Sequence, residues 1–352
     1  MNSLEPMRAV RIGMLGFGTV GRAVQELIFK GDLNRYFGRP LKIVKIYTPH
    51  PRKKNLYRKR PTLFTTNAKE VTDNPEIDII LEVLGSNKVD QVIILRCSPL
   101  VLWSRLSSRN YSLNKIGEKN PIVFIHGVGL NQNIWKPQIN FFKDYTTLTY
   151  DLLGHGKTPL NKSKVNFNDF SNQLLSLINQ LEFKKIHLVG FSLGALIARD
   201  FASKHAEKLC SLIIHGSIYK RTENQKRVVL NRLHLAKMNR PASRHTALRR
   251  WFTQSFIKKN PEIYKKIYLG LEKNDHKNFL KSYELFVHYQ DDDNMIKKIN
   301  VNTLITTGEN DVGSTPEMAR NLSKVIQDSK FVEIKKGKHL CGIECADDVN
   351  II

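Results

Sequence analysis

Residues 184–202 read KKIHLVGFSLGALIARDFA and join a short apolar run to the pattern Gly-x-Ser-x-Gly and then to a helical pattern. The run Lys185–Gly190 predicts a buried strand, and Ala195–His205 predicts the helix that follows it. The two glycines of the pattern permit a sharp turn between these elements, which would hold the Ser192 hydroxyl above the carboxyl end of a sheet. This context predicts that Ser192 is a nucleophile.

Two residues farther along the chain have the chemistry and the position of an acid and a base for this serine. A serine hydroxyl reacts well only when a base accepts its proton, and in sites of this type acid and base follow the serine in chain order. Asp311 follows a strand predicted at Asn302–Thr307, and His339 follows the next predicted strand. We therefore predict a catalytic triad of Ser192, Asp311 and His339, with Glu309 as the alternative acid.

The oxyanion that forms during attack on a carbonyl needs backbone N–H donors. One normally follows the nucleophile, and one comes from the loop after the first central strand. Leu193 follows the serine directly, and the strand predicted at Pro121–His126 leads into a loop that contains Val128. We predict that Leu193 and Val128 form the oxyanion hole, and that His126 orients the loop rather than acting as a base.

Strands alternate with helices from Gly117 onward, which predicts an α/β fold with a mostly parallel sheet. The ordered set of motifs in residues 117–352 resembles the small α/β-hydrolases of the enol-lactonase and esterase type. The resemblance implies a helical cap over the pocket, at about 217–299, and hydrolysis of a carboxylic ester, lactone or related acyl bond of a small molecule without a cofactor. The predicted cap is rich in Lys and Arg, which favours an anionic acyl group or ester.

Two elements of that family are expected to be missing. A β-hairpin usually precedes the strand that ends in His-Gly, and here only Lys115–Lys119 resembles its tail. A last helix usually packs across the sheet, and the chain ends at Ile352, soon after His339. Loss of the hairpin would leave a sheet edge bare. The predicted activity therefore depends on which residues cover the sheet edge and which residues take the position of the last helix.

The N-terminal stretch VRIGMLGFGTVGRAVQELI predicts a strand, a glycine turn and a helix. Gly16, Gly18 and Gly21 fit the dinucleotide pattern G-x-G-x-x-G, in which missing side chains let a pyrophosphate approach the helix N-terminus. The next predicted strand, LKIVKIY, lacks the acidic residue that usually follows it to bind the ribose of NAD. Arg52 is the alternative there, as a ligand for the extra phosphate of NADP.

A third strand is predicted at Ile77–Leu84, within the sequence NPEIDIILEVLGS. With the glycine turn, this sequence makes residues 8–87 resemble the start of homoserine dehydrogenase. The resemblance implies a partial Rossmann-like βαβ unit, over about 1–87, that could bind NAD(P). The substrate domain and the catalytic lysine of that family have no counterpart here. We therefore predict an NAD(P)-binding remnant without dehydrogenase activity.

The segment Val89–Ile116 predicts a buried strand, a short loop and a helix with several arginines. It resembles part of the small adenylate-kinase-like ATPases, and we assign about 88–116 to such a fragment. The phosphate-binding pattern G-x-x-x-x-G-K-[ST] occurs nowhere in the chain, so Arg96, Arg105 and Arg109 have no predicted phosphate to bind.

Composition limits the remaining classes of function. The 56 Lys and Arg residues exceed the 32 Asp and Glu residues and give a formal net charge of +24. No nucleic-acid-binding motif accompanies this charge, so we expect no specific nucleic-acid partner. Cys97, Cys210, Cys341 and Cys345 have the spacing of no zinc or redox motif, which predicts reduced thiols and no metal. We find neither a signal peptide nor a run of ~18 apolar residues, which predicts a cytoplasmic protein without a membrane partner.

Three hypotheses remain open from the sequence. The first is a serine hydrolase behind an inert N-terminal extension. The second is a nucleotide-binding protein that uses the glycine turn at 16–21. The third is a chimeric fusion of three gene pieces without a function as a unit, which the abrupt changes near Asn87 and Gly117 favour as an account of origin.

Overall fold

The computed structural model describes residues 9–17, 19–31, 40–50, 59–74, 76–82, 93–97, 111–114, 116, 119–160 and 162–352. Its backbone contacts divide the chain into two compact units, Met1–Arg105 and Leu106–Ile352.

The N-terminal unit is built on a sheet in the strand order β3-β2-β1-β4-β5. Its described elements are β1 Val10–Leu15, α1 Thr19–Phe29, β2 Leu41–Tyr47, β3 Phe64–Thr65, α2 Lys69–Thr72, β4 Ile79–Glu82 and β5 Ile93–Cys97. Strands β1 to β4 are parallel, whereas β5 pairs with β4 in the antiparallel direction. This parallel order around β1 is that of a partial Rossmann-like unit, as the sequence predicted.

Apolar side chains explain why the N-terminal strands pack together. Ile12 and Met14 of the central strand β1 are buried, as are Ile43 and Ile46 of the neighbouring β2. Ile28 of α1 joins the same core. A strand with buried residues on consecutive positions, as in β1, is typical of a parallel sheet with cover on both faces.

The C-terminal unit is built on a sheet in the strand order β12-β11-β10-β9-β7-β8-β6. Its strands are β6 Tyr111–Asn114, β7 Ile122–Ile125, β8 Thr147–Tyr150, β9 Ile186–Phe191, β10 Leu209–His215, β11 Thr303–Gly308 and β12 Ser329–Ile334. Its helices are α3 Lys136–Phe141, α4 Phe167–Gln180, α5 Leu193–Lys204, α6 Glu223–Met238, α7 Arg240–Trp251, α8 Gln254–Lys259, α9 Pro261–Glu272, α10 His276–Val287, α11 Asp293–Ile296, α12 Pro316–Ser323, α13 Cys341–Glu344 and α14 Ala346–Asn350.

Strands β7 to β12 are all parallel, so their carboxyl ends meet at one edge of the sheet. The loops after β7, β9, β11 and β12 contain the residues that the sequence singled out. The helix α5, which follows β9, is buried over most of its length. This α/β architecture confirms the fold class predicted for the C-terminal part of the chain.

The edge strand β6 corrects one prediction. The sequence placed Tyr111–Asn114 at the end of a helix in the adenylate-kinase-like segment, but these residues form a strand that pairs antiparallel with β8. The C-terminal sheet therefore begins before the boundary predicted at Gly117, and β6 covers the edge of β8 that loss of the hairpin was expected to leave bare. The predicted helix residues before Tyr111 lie outside the described residues.

Six helices, α6 to α11, lie within the segment predicted to form a cap, about 217–299. They are inserted between β10 and β11, which are neighbours in the sheet. Capping bonds define several of their starts; Thr222 accepts from Gln225 N and the Gln225 side chain accepts from Thr222 N, which is a capping box. Among all the helices in the described ranges, none combines the length and apolar character needed to cross a lipid bilayer.

Candidate active site

The turn between β9 and α5 holds Ser192 in an unusual backbone conformation. Ser192 has φ 56°, in the left-handed region that L residues other than Gly rarely adopt. A Cβ atom on Gly190 would lie 2.3 Å from the Gly194 carbonyl oxygen, and one on Gly194 would lie 2.4 Å from the Ile125 carbonyl oxygen. Both positions therefore need glycine, because the turn brings backbone against backbone.

A continuous chain of hydrogen bonds joins the three predicted triad residues. His339 Nε2 lies 3.1 Å from Ser192 Oγ, and His339 Nδ1 lies 2.6 Å from Asp311 Oδ2. The carboxylate accepts from Nδ1–H, which leaves Nε2 free to accept the hydroxyl proton. All three residues are buried, so little bulk water competes for these bonds.

The surroundings of Asp311 favour its ionised form. Its other oxygen, Oδ1, accepts from the backbone N–H groups of Gly313 at 2.8 Å and Ser314 at 3.0 Å. Burial opposes ionisation, but the charge of His339 and these hydrogen bonds outweigh it, and the pKa of Asp311 falls below its ordinary value. An ionised carboxylate at this point is suited to stabilise a positive charge on the His339 imidazole.

The alternative acid, Glu309, points elsewhere. Its side chain is exposed and accepts from Lys336 N at 2.8 Å and from Lys335 Nζ at 3.2 Å. Hydrogen bonds to Lys336 and Lys335 lower its pKa, but it has no contact with the imidazole. Of the two acids that the sequence left open, the structure brings only Asp311 to His339.

The loop after β7 lies directly against the serine. A Cβ atom on Gly127 would lie 3.0 Å from Ser192 Cβ. His126 fixes this loop: its Nε2 accepts from Leu152 N at 3.0 Å, and its Nδ1 donates to the Gly127 carbonyl at 2.8 Å. Burial lowers the pKa of His126 to about 4, so the ring is neutral at physiological pH and its bonds are those of a positioning residue.

Two backbone N–H groups near the serine lack a protein acceptor. Leu193 is the first residue of α5, where helix geometry leaves N–H groups without a partner. In the described part of the chain, neither Leu193 N nor Val128 N donates to another protein atom. Val128 lines the same cavity as Ser192. Free donors on either side of a nucleophile are what an oxyanion hole requires.

The loop that carries His339 is tied to the cap and to α3. Leu340 N donates to the Trp251 carbonyl at 3.0 Å. Gln138 Nε2 in α3 donates to the Gly342 carbonyl at 2.8 Å and to Asn350 Oδ1 at 3.0 Å. The short helices α13 and α14, which follow His339, therefore pack against α3.

His215, which was not predicted from the sequence, lies beside His339 and Ser192. Its Nδ1 is 2.7 Å from Thr306 Oγ1, and its ring packs on Phe191 with centroids 5.4 Å apart. Burial, with a smaller contribution from the charge of His339, lowers the pKa of His215 to about 4. Its position at the carboxyl end of β10, one strand from Ser192, was the signal that could have identified it.

A cavity of about 270 Å³ lies between the triad and the cap. Ser192, His339 and Asp311 line it together with Val128, and cap helices α6, α7, α9 and α10 supply most of the remaining wall. The volume is that of a small-molecule site. The side chains that line it from the cap include Arg221, Val229, Arg232, Leu235, Arg244, Arg250, Phe279 and Tyr283.

The structure places two of the three predicted nucleotide-binding glycines. Gly16 has φ 100° and its N–H donates to the Tyr47 carbonyl at 3.0 Å. A Cβ atom on Gly21 would lie 3.0 Å from the Gly16 carbonyl oxygen, so the helix packs closely on the turn. Gly18 and Arg52 lie outside the described residues, and the nucleotide role of this turn stays a prediction.

Comparison with known proteins agrees with this geometry. The family described as the alpha/beta hydrolase fold matches residues 120–344. The chain belongs to the α/β-hydrolase fold family. One similar protein is (E)-2-((N-methylformamido)methylene)succinate hydrolase from Acinetobacter baylyi, which is 28% identical over 66% of this chain and 89% of the relative. Another is 3-oxoadipate enol-lactonase 2 from the same organism, which is 24% identical over 67% of this chain and 87% of the relative. These names are those of hydrolytic enzymes, and this α/β-hydrolase is likewise an enzyme.

Solved structures share the fold. The enol-lactonase from Burkholderia xenovorans superposes with a TM-score of 0.64 at 23% identity and covers 68% of this chain and 93% of its own. An esterase from Thermogutta terrifontis gives a TM-score of 0.62 at 22% identity, covering 68% and 90%. Both comparisons concern the α/β-hydrolase part of the chain. The resemblance of the preceding residues to homoserine dehydrogenase and to adenylate kinases rests on sequence motifs alone.

Proposed function

We propose that the C-terminal unit is a serine hydrolase that cleaves a carboxylic ester, lactone or related acyl bond of a small molecule. Ser192 is the nucleophile, His339 the general base, and Asp311 the residue that orients and stabilises the imidazole. The hydrogen-bond chain from Ser192 Oγ through His339 to Asp311 carries this proposal. The names of the relatives, a hydrolase and an enol-lactonase, support the class of reaction.

The proposed reaction assigns each step to a residue of this site. Ser192 Oγ attacks the carbonyl carbon while its proton passes to His339 Nε2, and the new oxyanion accepts hydrogen bonds from Val128 N and Leu193 N. Collapse of the tetrahedral intermediate breaks the acyl–oxygen bond, and His339 returns the proton to the leaving oxygen. Water then attacks the acyl-enzyme, with His339 again as the base, and the carboxylic acid leaves.

Labelling with a fluorophosphonate probe tests the nucleophile. The probe reacts with an activated serine, so we expect it to label the wild-type protein at Ser192 and to leave Ser192→Ala unlabelled. Hydrolysis of 4-nitrophenyl esters by Ser192→Ala should fall by a factor of ~10⁶ in kcat, as removal of a triad nucleophile does. The matched control is Ser203→Ala, on the same helix, whose hydroxyl donates to the Asp200 carbonyl outside the cavity. Equal labelling of wild type and Ser192→Ala would exclude this function.

A second candidate function belongs to the N-terminal unit. The parallel order β3-β2-β1-β4, with Gly16 at the end of the central strand, supports a nucleotide-binding remnant that resembles the start of homoserine dehydrogenase. We expect the full chain to bind NADP in a calorimetric titration and Gly18→Val to abolish that binding. Ser192→Ala is the control and should bind as the wild type does. Absence of NADP and NAD binding by the folded wild-type chain would leave this unit without a nucleotide role.

A further inference from the structure

The wall of the cavity that the cap provides is strongly cationic. Four arginines line it, namely Arg221, Arg232, Arg244 and Arg250. Among the described lining residues Asp311 is the only acid, and its carboxylate is already bonded to His339. The arginines that line the cavity therefore outnumber its acidic side chains.

Two of these arginines have protein partners. Arg244 Nη2 lies 3.0 Å from Glu272 Oε1 and forms an ion pair with it. Arg221 Nη1 donates to the carbonyl oxygens of Phe286 at 3.0 Å and Val287 at 3.1 Å, and its guanidinium lies 4.5 Å above the Phe286 ring. Both guanidinium groups therefore have an acceptor within the protein, although Arg244 Nε has no partner among the described residues.

The other two, Arg232 on α6 and Arg250 on α7, have none. In the described part of the chain, neither guanidinium donates a hydrogen bond to a protein acceptor or lies within ion-pair distance of a carboxylate. Both side chains are only partly exposed. Burial, followed by the nearby charge of Arg232, lowers the pKa of Arg250 to about 10, so the two cations lie close enough to repel each other. Unpaired, partly buried cations are costly unless a ligand compensates them.

The groups around this pair suit a carboxylate on a short carbon chain. Arg232 and Arg250 line the same cavity as Ser192, Asp311 and His339, which places them on the same substrate. Tyr283 lines the same wall, and burial raises the pKa of its hydroxyl, which therefore remains a neutral donor. Val229 and Leu235 add apolar surface beside these donors. A guanidinium presents N–H donors in the planar fork that a carboxylate accepts in two parallel bonds.

We propose that Arg232, Arg250 and the Tyr283 hydroxyl bind a free carboxylate of the substrate, separate from the acyl group that Ser192 attacks. The substrate class is then an ester or lactone that carries a second, ionised carboxyl group, such as the half-ester of a dicarboxylic acid. This inference rests on the proposed serine-hydrolase function of the same cavity. Arg232 and Arg250 select the substrate, whereas the triad cleaves it.

A matched pair of esters tests the selection. Mono-4-nitrophenyl adipate carries a terminal carboxylate where 4-nitrophenyl hexanoate carries a methyl group, and the two share the leaving group and the chain length. We expect wild-type kcat/KM to be ~10- to 100-fold higher for the adipate ester, the size of a charge-assisted hydrogen bond. Added sodium chloride should raise KM for the adipate ester alone, because salt screens the attraction.

Variants identify the residues responsible. In Arg232→Met and Arg250→Met, the ratio of kcat/KM for the two esters should fall by ~10-fold or more, mainly through KM for the adipate ester. Arg250→Lys retains the charge without the planar fork and should retain part of the preference. The matched control is Arg249→Met, the exposed neighbour of Arg250, which should keep the wild-type ratio.

The possible failures are distinguishable. If the wild type hydrolyses the hexanoate ester but shows no preference for the adipate ester, or if the preference survives in both methionine variants, the carboxylate site is refuted while the hydrolase function stands. If neither ester is cleaved and the probe does not label Ser192, the hydrolase function fails. Calorimetric titration of Ser192→Ala with adipate then tests the site itself. Adipate binding that requires Arg250 supports it, and absent binding or tighter binding of inorganic phosphate overturns it.

Discussion

At the scale of single residues, the proposed triad depends on whether the carboxyl group of Asp311 is ionised. Burial opposes the ionisation of Asp311, but the charge of His339 and hydrogen bonds from His339, Ser314 and Gly313 outweigh it and hold the pKa of this carboxyl below its ordinary value. A carboxyl group whose pKa is lowered by folding stabilises the folded protein at pH values above its pKa in the unfolded state. This stabilisation is lost as the pH falls through its pKa in the folded state. Asp311 is therefore ionised throughout the range in which an imidazole titrates, between about pH 5 and 8.

Substitution of the two candidate acids provides a direct test at this scale. Asp311→Asn should lower kcat by roughly 10³- to 10⁴-fold, because the amide no longer holds the imidazole in the required tautomer or stabilises its positive charge. Glu309→Gln, at the exposed alternative acid, should retain wild-type kcat. The acid limb of the wild-type pH–rate profile, measured with an ester substrate, should show a single ionisation. A comparable loss of kcat in Glu309→Gln would contradict the assignment of the acid.

The sequence was a good guide to the triad and a poor guide to the arginines. Ser192, Asp311 and His339 each follow a strand, and parallel strands place their carboxyl ends at one edge, so chain order alone predicts that they meet. Arg232 and Arg250 lie on different cap helices, and nothing in their spacing predicts which arginines find an acidic partner. Among the described residues, neither Arg232 nor Arg250 has an acidic partner, and only the folded arrangement of α6 and α7 shows this.

At the scale of elements, the tight turn between β9 and α5 places Ser192 in the wall of the cavity and leaves no room for a side chain at Gly190 or Gly194. Gly194→Ala would bring a Cβ atom within 2.4 Å of the Ile125 carbonyl oxygen, so a backbone segment must move. We expect a loss of ~1–3 kcal/mol or more in the free energy of unfolding, measured by urea denaturation, together with lower activity.

A second glycine supplies the control for that substitution. Gly270 lies in the cap helix α9, and a Cβ atom added there would lie 3.4 Å from its nearest neighbour, Asn131 Nδ2. Gly270→Ala should raise the free energy of unfolding by ~0.5–1 kcal/mol, because alanine loses less conformational entropy in a helix. If Gly194→Ala and Gly270→Ala had the same free energy of unfolding, steric restriction at the turn would not explain the effect of Gly194→Ala.

Strands with strong apolar runs were predicted to within two residues at each end, whereas β6 was not predicted at all. The difference has a physical reason. Leu41–Tyr47 and Ile186–Phe191 bury much of their own surface, which their composition reveals. Tyr111–Asn114 is a short edge strand with polar Ser112 and Asn114, and its structure depends on the backbone groups that β8 presents. Pairing of this kind is a tertiary effect that local sequence does not encode.

At the scale of the whole molecule, the two compact units explain why no single family resemblance covered the chain. The fold class of each unit followed from its strand–turn–helix motifs, since these are local. The sequence predicts boundaries near Asn87 and Gly117, and backbone contacts group the chain into the units Met1–Arg105 and Leu106–Ile352. A boundary is set by which strand joins which sheet, and β6 joins the C-terminal one.

The cap enters and leaves the sheet through two adjacent parallel strands, β10 and β11, while the nucleophile, the acid and the base all lie on loops of the sheet itself. The residues that we propose for substrate recognition and those that we propose for catalysis thus belong to separate segments of the chain. Randomising α6 and α7 while the loops that carry Ser192, Asp311 and His339 are kept unchanged is therefore the direct route to variants that accept other acids.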